Sequence, residues 1–265
     1  MFFRLSDWQL VLVIFAVIFG VTALGLVTGR YLRKHSETLR EPFGVLQGAL
    51  LGLVGLILAF GLSLAVGRYE ARRAAVVDDA NAIGTTYLRA QMLSEPVRSQ
   101  SLALLVNYTD TSIRLSRARP GSAAEERVVA IGDAQQRQLW RLAGHALNTA
   151  PVATGPRLYI DSLNSMIDMQ TVRVSALNNR VPGAVLGLEV LGAAFALGLL
   201  AVYLSILGRG VVTVVIAASL ISLLLLITFD LDRPTRGLIR IPTAPLTALR
   251  ASMVLPPAAS GAPRP

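Results

Sequence analysis

Four apolar runs with almost no charge, residues 8–27, 43–66, 184–207 and 211–229, decide most of what this chain can be. Each is about 20 residues or more, the length of helix that crosses roughly 30 Å of hydrocarbon at about 1.5 Å of rise per residue. Inside a bilayer no water satisfies bare backbone groups, so such runs take helical form. Composition agrees, since 53% of the 265 residues are hydrophobic and 15% charged, too apolar for one ordinary water-soluble domain of that length. The expected fold is an all-α integral membrane protein with four transmembrane helices and a helical soluble domain inserted between the second and third. Residues 1–66 would form a first transmembrane hairpin, 67–182 the soluble domain, 183–229 a second hairpin and 230–265 a C-terminal tail. That tail, rich in Pro and Ala beyond Arg250, is expected to be partly disordered. The first run is too long for a signal peptide and has only Arg4 before it, so it reads as a retained anchor.

The net charge of +9 comes from 24 arginines and a single lysine, Lys34. Several arginines flank the spans, where anionic headgroups would meet them. A nucleic-acid surface is a poor explanation: residues 68–182 hold fourteen arginines against ten acids with no basic block or interleaved aromatics. There is no cysteine, and His35 and His145 are the only histidines, so neither a disulfide nor a thiolate or histidine metal site is expected. Four crossings put both termini and the central domain on one side. Near the short loops, Arg4, Arg233, Arg236 and Arg240 stand against Arg30, Arg33, Lys34, Arg40 and Arg209. Adding the membrane-proximal Arg68, Arg72, Arg73, Arg173 and Arg180 makes nine against five and points to a cytoplasmic domain.

Past the second run, Gly67 to Ala75 continues with good helix formers, which predicts one helix leaving the membrane and ending near Met92. Ser94-Glu95-Pro96 reads as a break and restart, and apolar spacing predicts a helix over 97–117, ended by Arg119-Pro120-Gly121-Ser122. A further helix over 123–149 has Glu125 and Glu126 in its first turn, where the helix dipole favours them. Residues 151–156 read as a linker. After it, Ile160, Leu163, Ile167, Gln170, Val174, Leu177 and Val181 alternate spacings of three and four, predicting a coiled-coil-like seam with Gln170 as its polar member. Pro182-Gly183 returns the chain to the membrane, and Gly208-Arg209-Gly210 is a tight connection between the last two spans.

Five groups of residues invite a functional reading. Along the second span Gly44, Gly48, Gly52, Gly55, Ala59 and Ser63 fall on one side of the helix, with Leu53, Ile57, Phe60 and Leu64 opposite. A small-residue stripe permits close helix approach, and it equally suits the lining of a pore. Where that helix exits, Arg68, Tyr69, Glu70, Arg72 and Arg73 read either as an interfacial anchor or as an electropositive collar at the mouth of an anion path. After the fourth span, Asp230, Asp232 and Arg233 offer carboxylates that would pair with the exit arginines or supply oxygens to a hard cation. Two carboxylates fall short of the six to eight oxygens calcium takes, which favours pairing. Glu189 is an intramembrane acid, a functional position by default, although it lies close enough to Pro182 to reach the interface. Asp78, Asp79 and Asn81, with Asp161, Asn164 and Asp168, would supply polar contacts between helices. No nucleophile with a base and no phosphate-cradling loop is present, so an enzyme is not expected, nor any cofactor.

Four segments carry a resemblance: Gly55-Leu56-Ile57-Leu58-Ala59-Phe60, Arg68-Tyr69-Glu70-Ala71-Arg72-Arg73, residues 79–90 from Asp79-Ala80-Asn81 to Tyr87-Leu88-Arg89-Ala90, and Asp230-Leu231-Asp232-Arg233-Pro234-Thr235-Arg236-Gly237. Together they resemble the prokaryotic bestrophin-like membrane family over nearly the whole chain. Bestrophins, to which that family is similar in its four spans and in a Tyr-Glu after the second, are pentameric ion channels, mostly anion-conducting, lined by the second helix. Matching Tyr69-Glu70 to theirs places their bulky apolar neck positions on Gly55, Ala59 and Ser63. A small, partly polar face cannot form the same dewetting constriction, so the resemblance implies a wider pore, a gate elsewhere, or a packing surface. The expectation is a homo-oligomeric ion channel, or channel-like protein, of a bacterial inner membrane, lined by the second helix. Its partners would be the lipid bilayer, further copies of itself and inorganic anions, not nucleic acid. The alternative is a membrane-anchored helical interaction or sensory module without transport.

Overall fold

The structure, a computed structural model, describes residues 6–33, 40–208, 210–235 and 237–255. The expectations placed on Arg4, Lys34, His35, Arg209, Arg236 and the tail beyond 255 lie outside these residues, as do the side chains of Arg40 and Pro42. The described chain is helical, without strands: α1 (Asp7–Leu32), α2 (Arg40–Ala90), α3 (Val97–Arg117), α4 (Ala123–Thr149), α5 (Thr154–Asn178), α6 (Gly183–Ile206), α7 (Val211–Leu231) and α8 (Ala244–Ser252). Four helical stretches are long and apolar enough to cross a membrane, Trp8–Leu32, Gly44–Ala90, Thr154–Ile206 and Val211–Leu231. The third combines α5 and α6, between which the chain leaves helical geometry over residues 179–182. The chain divides into two units, Met1–Arg68 with Arg180–Ile239, and Tyr69–Asn179 with Arg240–Pro265.

In the first unit α1 begins at Ser6, whose hydroxyl accepts from the Gln9 N–H while the Gln9 side chain accepts from the Ser6 N–H. This reciprocal capping box satisfies two donors that a helix start leaves orphaned. The core joins Leu10, Ile14 and Ile18 of α1, Val54 and Leu58 of α2, Leu186, Val190 and Leu197 of α6, and Leu225 and Phe229 of α7. Where α1 crosses α6 the backbones approach closely. A Cβ at Gly25 would fall on the Gly198 carbonyl oxygen, and one at Gly29 would sit 2.6 Å from the Val202 carbonyl oxygen and 2.7 Å from Ser205 Cβ. Ser205 Oγ also donates to the Leu26 carbonyl, 2.9 Å away. Gly25 and Gly29 are one helical turn apart, the spacing that lets two helices meet without side chains between them.

The second unit closes around Ile83, Leu105, Tyr108, Leu139, Tyr159, Leu163 and Met166. Glu95 stands before α3 and accepts the Ser99 N–H at 3.2 Å, while Arg98 Nε donates to it at 2.9 Å. Hydrogen bonds from the Ser99 side chain and backbone, then from Arg98, hold its carboxyl below the ordinary range. α5 begins at Thr154 rather than after Pro156, because proline is tolerated in a first helical turn, where its missing N–H would have no intrahelical partner.

The seam of α5 differs from the sequence reading by one position. Buried along it are Tyr159, Leu163, Met166, Gln170, Arg173 and Leu177, while Ile160, Ile167 and Val174 are only half-buried at its edge. Leu163, Gln170 and Leu177 keep their places, but an aromatic, a methionine and an arginine occupy the centre that the β-branched residues were expected to hold. Ranking by hydrophobicity fails there because Arg173 finds a buried partner, which lets it fill a core position. α8 is a further departure, a helix within the stretch read as tail. It buries Leu246, Met253 is buried just beyond its end, and Arg250 Nε pairs with Asp110 at 2.9 Å.

Candidate functional site

Within the first unit α2 presents three faces. Val54, Leu58, Gly61 and Ala65 recur at three and four residues and are buried against the unit's own helices. Roughly a third of a turn away, Gly48, Gly52, Gly55, Ala59 and Ser63 are all exposed, and a Cβ built at Gly48, Gly52 or Gly55 would meet nothing within 4 Å. Leu53, Leu56, Phe60 and Leu64 form the third face, also exposed, with Phe60 at 63%. The stripe of small residues is thus not where α2 packs on its own chain. Among the glycines of the stripe, Gly44 at its start meets a described neighbour, the Tyr203 ring, 3.3 Å from a built Cβ.

The buried face holds a feature the sequence reading missed. Glu189 of α6 is 1% exposed, so its carboxyl is sealed inside the bundle rather than reaching outward. Gly61 receives it: a Cβ there would fall on Glu189 Oε1. Neither carboxyl oxygen has a hydrogen-bond partner. A buried polar group without a partner costs about 1–3 kcal/mol, and a side chain at Gly61 would require the Glu189 carboxyl to turn aside. A four-residue spacing was the available signal, since Gly61 continues the line Val54, Leu58, Ala65 on the side away from the stripe.

At the helix exit the expected arginine trio is split, with Arg72 turned into its unit and Arg73 outward. Arg72 is 1% exposed; its Nε donates to the Ala176 carbonyl at 3.2 Å and its Nη2 to the Asn179 carbonyl at 2.7 Å. It satisfies carbonyls that the end of α5 leaves unbonded, at the negative end of that helix dipole. Arg73 is exposed and pairs with Glu70 at 3.6 Å across one turn, a contact worth a few tenths of a kcal/mol. Arg68 and Tyr69 are half-buried. After α7, Asp230 accepts the N–H groups of Leu238 and Ile239 at 3.0 and 2.8 Å, and Asp232 accepts the Val181 N–H at 3.1 Å. Gly237 adopts φ 85°, and a Cβ there would fall on Asp230 Oδ1. These carboxylates fold the return of the chain onto itself, and Arg233 is buried beside them in sequence. Among the described residues no group of three or more His, Asp or Glu gathers at metal-binding distance.

In the second unit Arg173 and Asp79, each 1% exposed by side chain, pair at 2.6 Å. Ser112 Oγ donates to Asp79 Oδ2 at 2.6 Å, and Arg173 also donates to Ser112 Oγ, to the Ser112 carbonyl and to Ser116 Oγ. Next to it along α5, Gln170 Oε1 accepts from Tyr108 Oη at 2.6 Å and from Gln136 Nε2 at 2.8 Å, and Gln170 Nε2 donates to Asp133 at 3.0 Å. Burial first, then the charge of Asp79, raise the Tyr108 phenol well above its ordinary value. Of the polar residues expected between helices, Asp79 is in this cluster and Asp161 pairs with Arg89 at 2.8 Å, whereas Asp78, Asn81, Asn164 and Asp168 are exposed.

Comparison with known proteins places this architecture. The family described as Bestrophin-like domain matches residues 10–246. A crystal structure of a bacterial bestrophin homologue from Klebsiella pneumoniae superposes with a TM-score of 0.65 at 14% identity, covering 89% of this chain and 97% of that one. A point variant of the same homologue reaches a TM-score of 0.68 at 13% identity over 92% of this chain and 97% of that one. No curated protein matches the chain.

Proposed function

The chain belongs to the Bestrophin-like domain family, and on that premise we propose that it is a homo-oligomeric channel for inorganic anions whose path is lined by α2. It is a membrane protein of the bestrophin class. In this reading residues 67–182 form a helical domain outside the bilayer of a bacterial inner membrane, with the termini on the same, cytoplasmic side, as the arginine distribution favours.

The observation that carries the proposal is the small-residue face of α2. Gly48, Gly52, Gly55, Ala59 and Ser63 are exposed with no covering helix among the described residues, and in the channel reading they face the axis. A lining of glycine, alanine and serine exposes backbone and one hydroxyl and carries no ring of bulky apolar side chains. Such a lining stays wet, and its selectivity comes from fixed charge and backbone dipoles rather than from dewetting. Arg73, exposed where the helix leaves the apolar run, is the charge placed to attract anions.

The test is chloride flux from liposomes reconstituted with purified protein, alongside Gly55→Leu and Ser63→Leu. Each leucine is expected to cut flux roughly tenfold or more with the oligomeric mass unchanged. Absence of flux from folded, oligomeric protein under any salt gradient would end the channel reading. Loss of assembly in either variant would assign the stripe to helix packing and favour an anchored interaction module.

A further inference from the structure

The four long helices of the second unit form a ring in the order α2, α3, α4, α5. α2 bonds α3 through Asp79 and Ser112, and α5 through Thr86 and Ser162 and through Arg89 and Asp161. α4 bonds α5 through Asp133 and Gln170, and α3 through Gln136 and Tyr108. α2 and α4 therefore lie across the bundle from one another, and their outward faces point in opposite directions.

Those faces carry opposite charge. The outward face of α4 exposes Arg127, Arg137, Arg141 and His145, and Arg114 of α3 stands exposed beside it. None of these arginines forms an ion pair among the described residues, and the one fully exposed acid on α4 is Glu126 in its first turn. Trp140 and Ile131 are exposed at 45% and 42%, and a groove of about 660 Å³ runs between Arg137, Trp140, Arg141 and Ile167. The opposite side exposes Asp78 and Asn81 of α2 with Asp168 and Asn164 of α5, and from Asp161 to Asn178 the exposed face of α5 carries no basic residue. Arg89 and Arg157 on that side are each engaged within the chain, by Asp161 and by the Pro151 carbonyl.

The two faces also match in height. Gln170 binds Asp133 and Gln136, which sets Asp168 level with the start of the Arg137 turn; Arg173 binds Asp79, and Asn178 binds Glu125, which sets Asp78 roughly a turn and a half from Asp168, level with the turn of Arg127 and Ile131. Two different faces on opposite sides of a subunit form a heterologous contact, and when the rotation closes about an axis along the helices, residues of equal height meet.

We propose that the outward face of α4, with Arg127 and Arg137 at its centre, docks on the Asp78 and Asp168 face of a second copy of this chain, head to tail around a closed ring. This rests on the homo-oligomeric reading above and names its contact. Trp140, beside Arg137 in the groove, supplies an apolar anchor of the kind that such interfaces concentrate, and the charges set direction and register.

The chain has no cysteine, so introduced thiols report on the contact alone. The experiment uses full-length protein in detergent, with its mass taken by light scattering before oxidation. Arg137→Cys combined with Asp168→Cys is expected to give a covalent ladder that ends at the light-scattering mass, while each single variant gives no dimer. Independently, Arg127→Glu with Arg137→Glu is expected to raise the concentration of half-assembly roughly tenfold or more, and adding Asp78→Arg with Asp168→Arg to restore it. The melting temperature of each variant at low concentration reports whether it still folds. Dimers from a single-cysteine variant would overturn the head-to-tail contact, as would an oligomer that gives no ladder and ignores the charge reversal; both leave the channel reading standing. Charge reversal that abolishes binding to anionic vesicles without changing the mass would assign the face to lipid and also overturn it. A monomeric unmodified protein at every concentration would instead remove the oligomeric reading itself.

Discussion

Where α1 crosses α6, the residues that meet are those with the least side chain: Gly25 and Gly29 against Gly198, Val202 and Ser205, close enough that backbone touches backbone. Where α2, α3 and α5 meet in the second unit, the contact is made by long polar side chains, with Arg173 reaching Asp79, Ser112 and Ser116 at once. Among lipid chains, burying another leucine gains little, so helices associate through close van der Waals approach and the short hydrogen bonds it permits, such as Ser205 to Leu26. In the second unit the apolar core supplies association, and the buried pair restricts which residues can face one another. Removing a contact should therefore have opposite consequences in the two units. A polar core is broken by deletion, a glycine crossing by addition.

The largest expected effect is deletion in the second unit. Arg173→Leu leaves the Asp79 carboxylate buried without its cation, which costs about 3–5 kcal/mol. The double variant with Asp79→Leu should recover a large part of that loss, because an apolar pair of similar volume needs no desolvation of charge. Denaturant or thermal unfolding of the three variants measures it. A single variant that loses less than about 1 kcal/mol would mean water reaches the pair and the contrast between the units is overstated.

Addition in the first unit comes next. Gly25→Val places atoms on the Gly198 carbonyl and should destabilise by about 1–3 kcal/mol, as overpacking does when backbone must move. Gly52→Val, equally a glycine in an apolar helix, has open space before its Cβ and should leave the unfolding of the chain almost unchanged. Melting temperatures in one detergent decide between them. Equal losses at the two positions would erase the distinction between a glycine that packs its own chain and one that faces open space.

That pair marks how far the sequence could be read. The first seven helices were legible, because about 20-residue apolar runs, Ser94-Glu95-Pro96 and Pro182-Gly183 are local signals, whereas the start of α5 at Thr154 and the short α8 lay in stretches read as linker and tail. Which glycines pack was not legible. The α2 stripe is longer and more regular than Gly25 and Gly29, yet it faces nothing in its own chain, since periodicity identifies a face without saying what covers it. The same limit moved the α5 seam. Ile160 and Ile167 look like the better core residues, and only the opposite charge at position 79, itself on the line of Val76, Ala80 and Ile83, could have drawn Arg173 inward. Glu189 was legible as an intramembrane acid, but the glycine that receives it became apparent only once α2 and α6 were adjacent.

The smallest effect tests whether the polar core acts as a network. Tyr108→Phe removes the hydroxyl bonded to Gln170 and Gln136 while leaving those two glutamines bonded to each other, so at neutral pH it should cost about 1 kcal/mol. Its pH dependence has a definite sign. Burial and Asp79 hold the phenol above its ordinary value in the folded chain, so above about pH 10 the unfolded chain releases this proton and the folded chain keeps it. The stabilisation is complete below that pH and is lost as pH rises, with a slope of at most about 1.4 kcal/mol per pH unit from this group. Phenylalanine removes the proton and with it that part of the slope, so the gap between the two proteins should narrow on the alkaline side. Parallel stability curves from pH 9 to 11 would mean that the phenol titrates as in water and that the cluster around Gln170 opens to solvent before the unit unfolds.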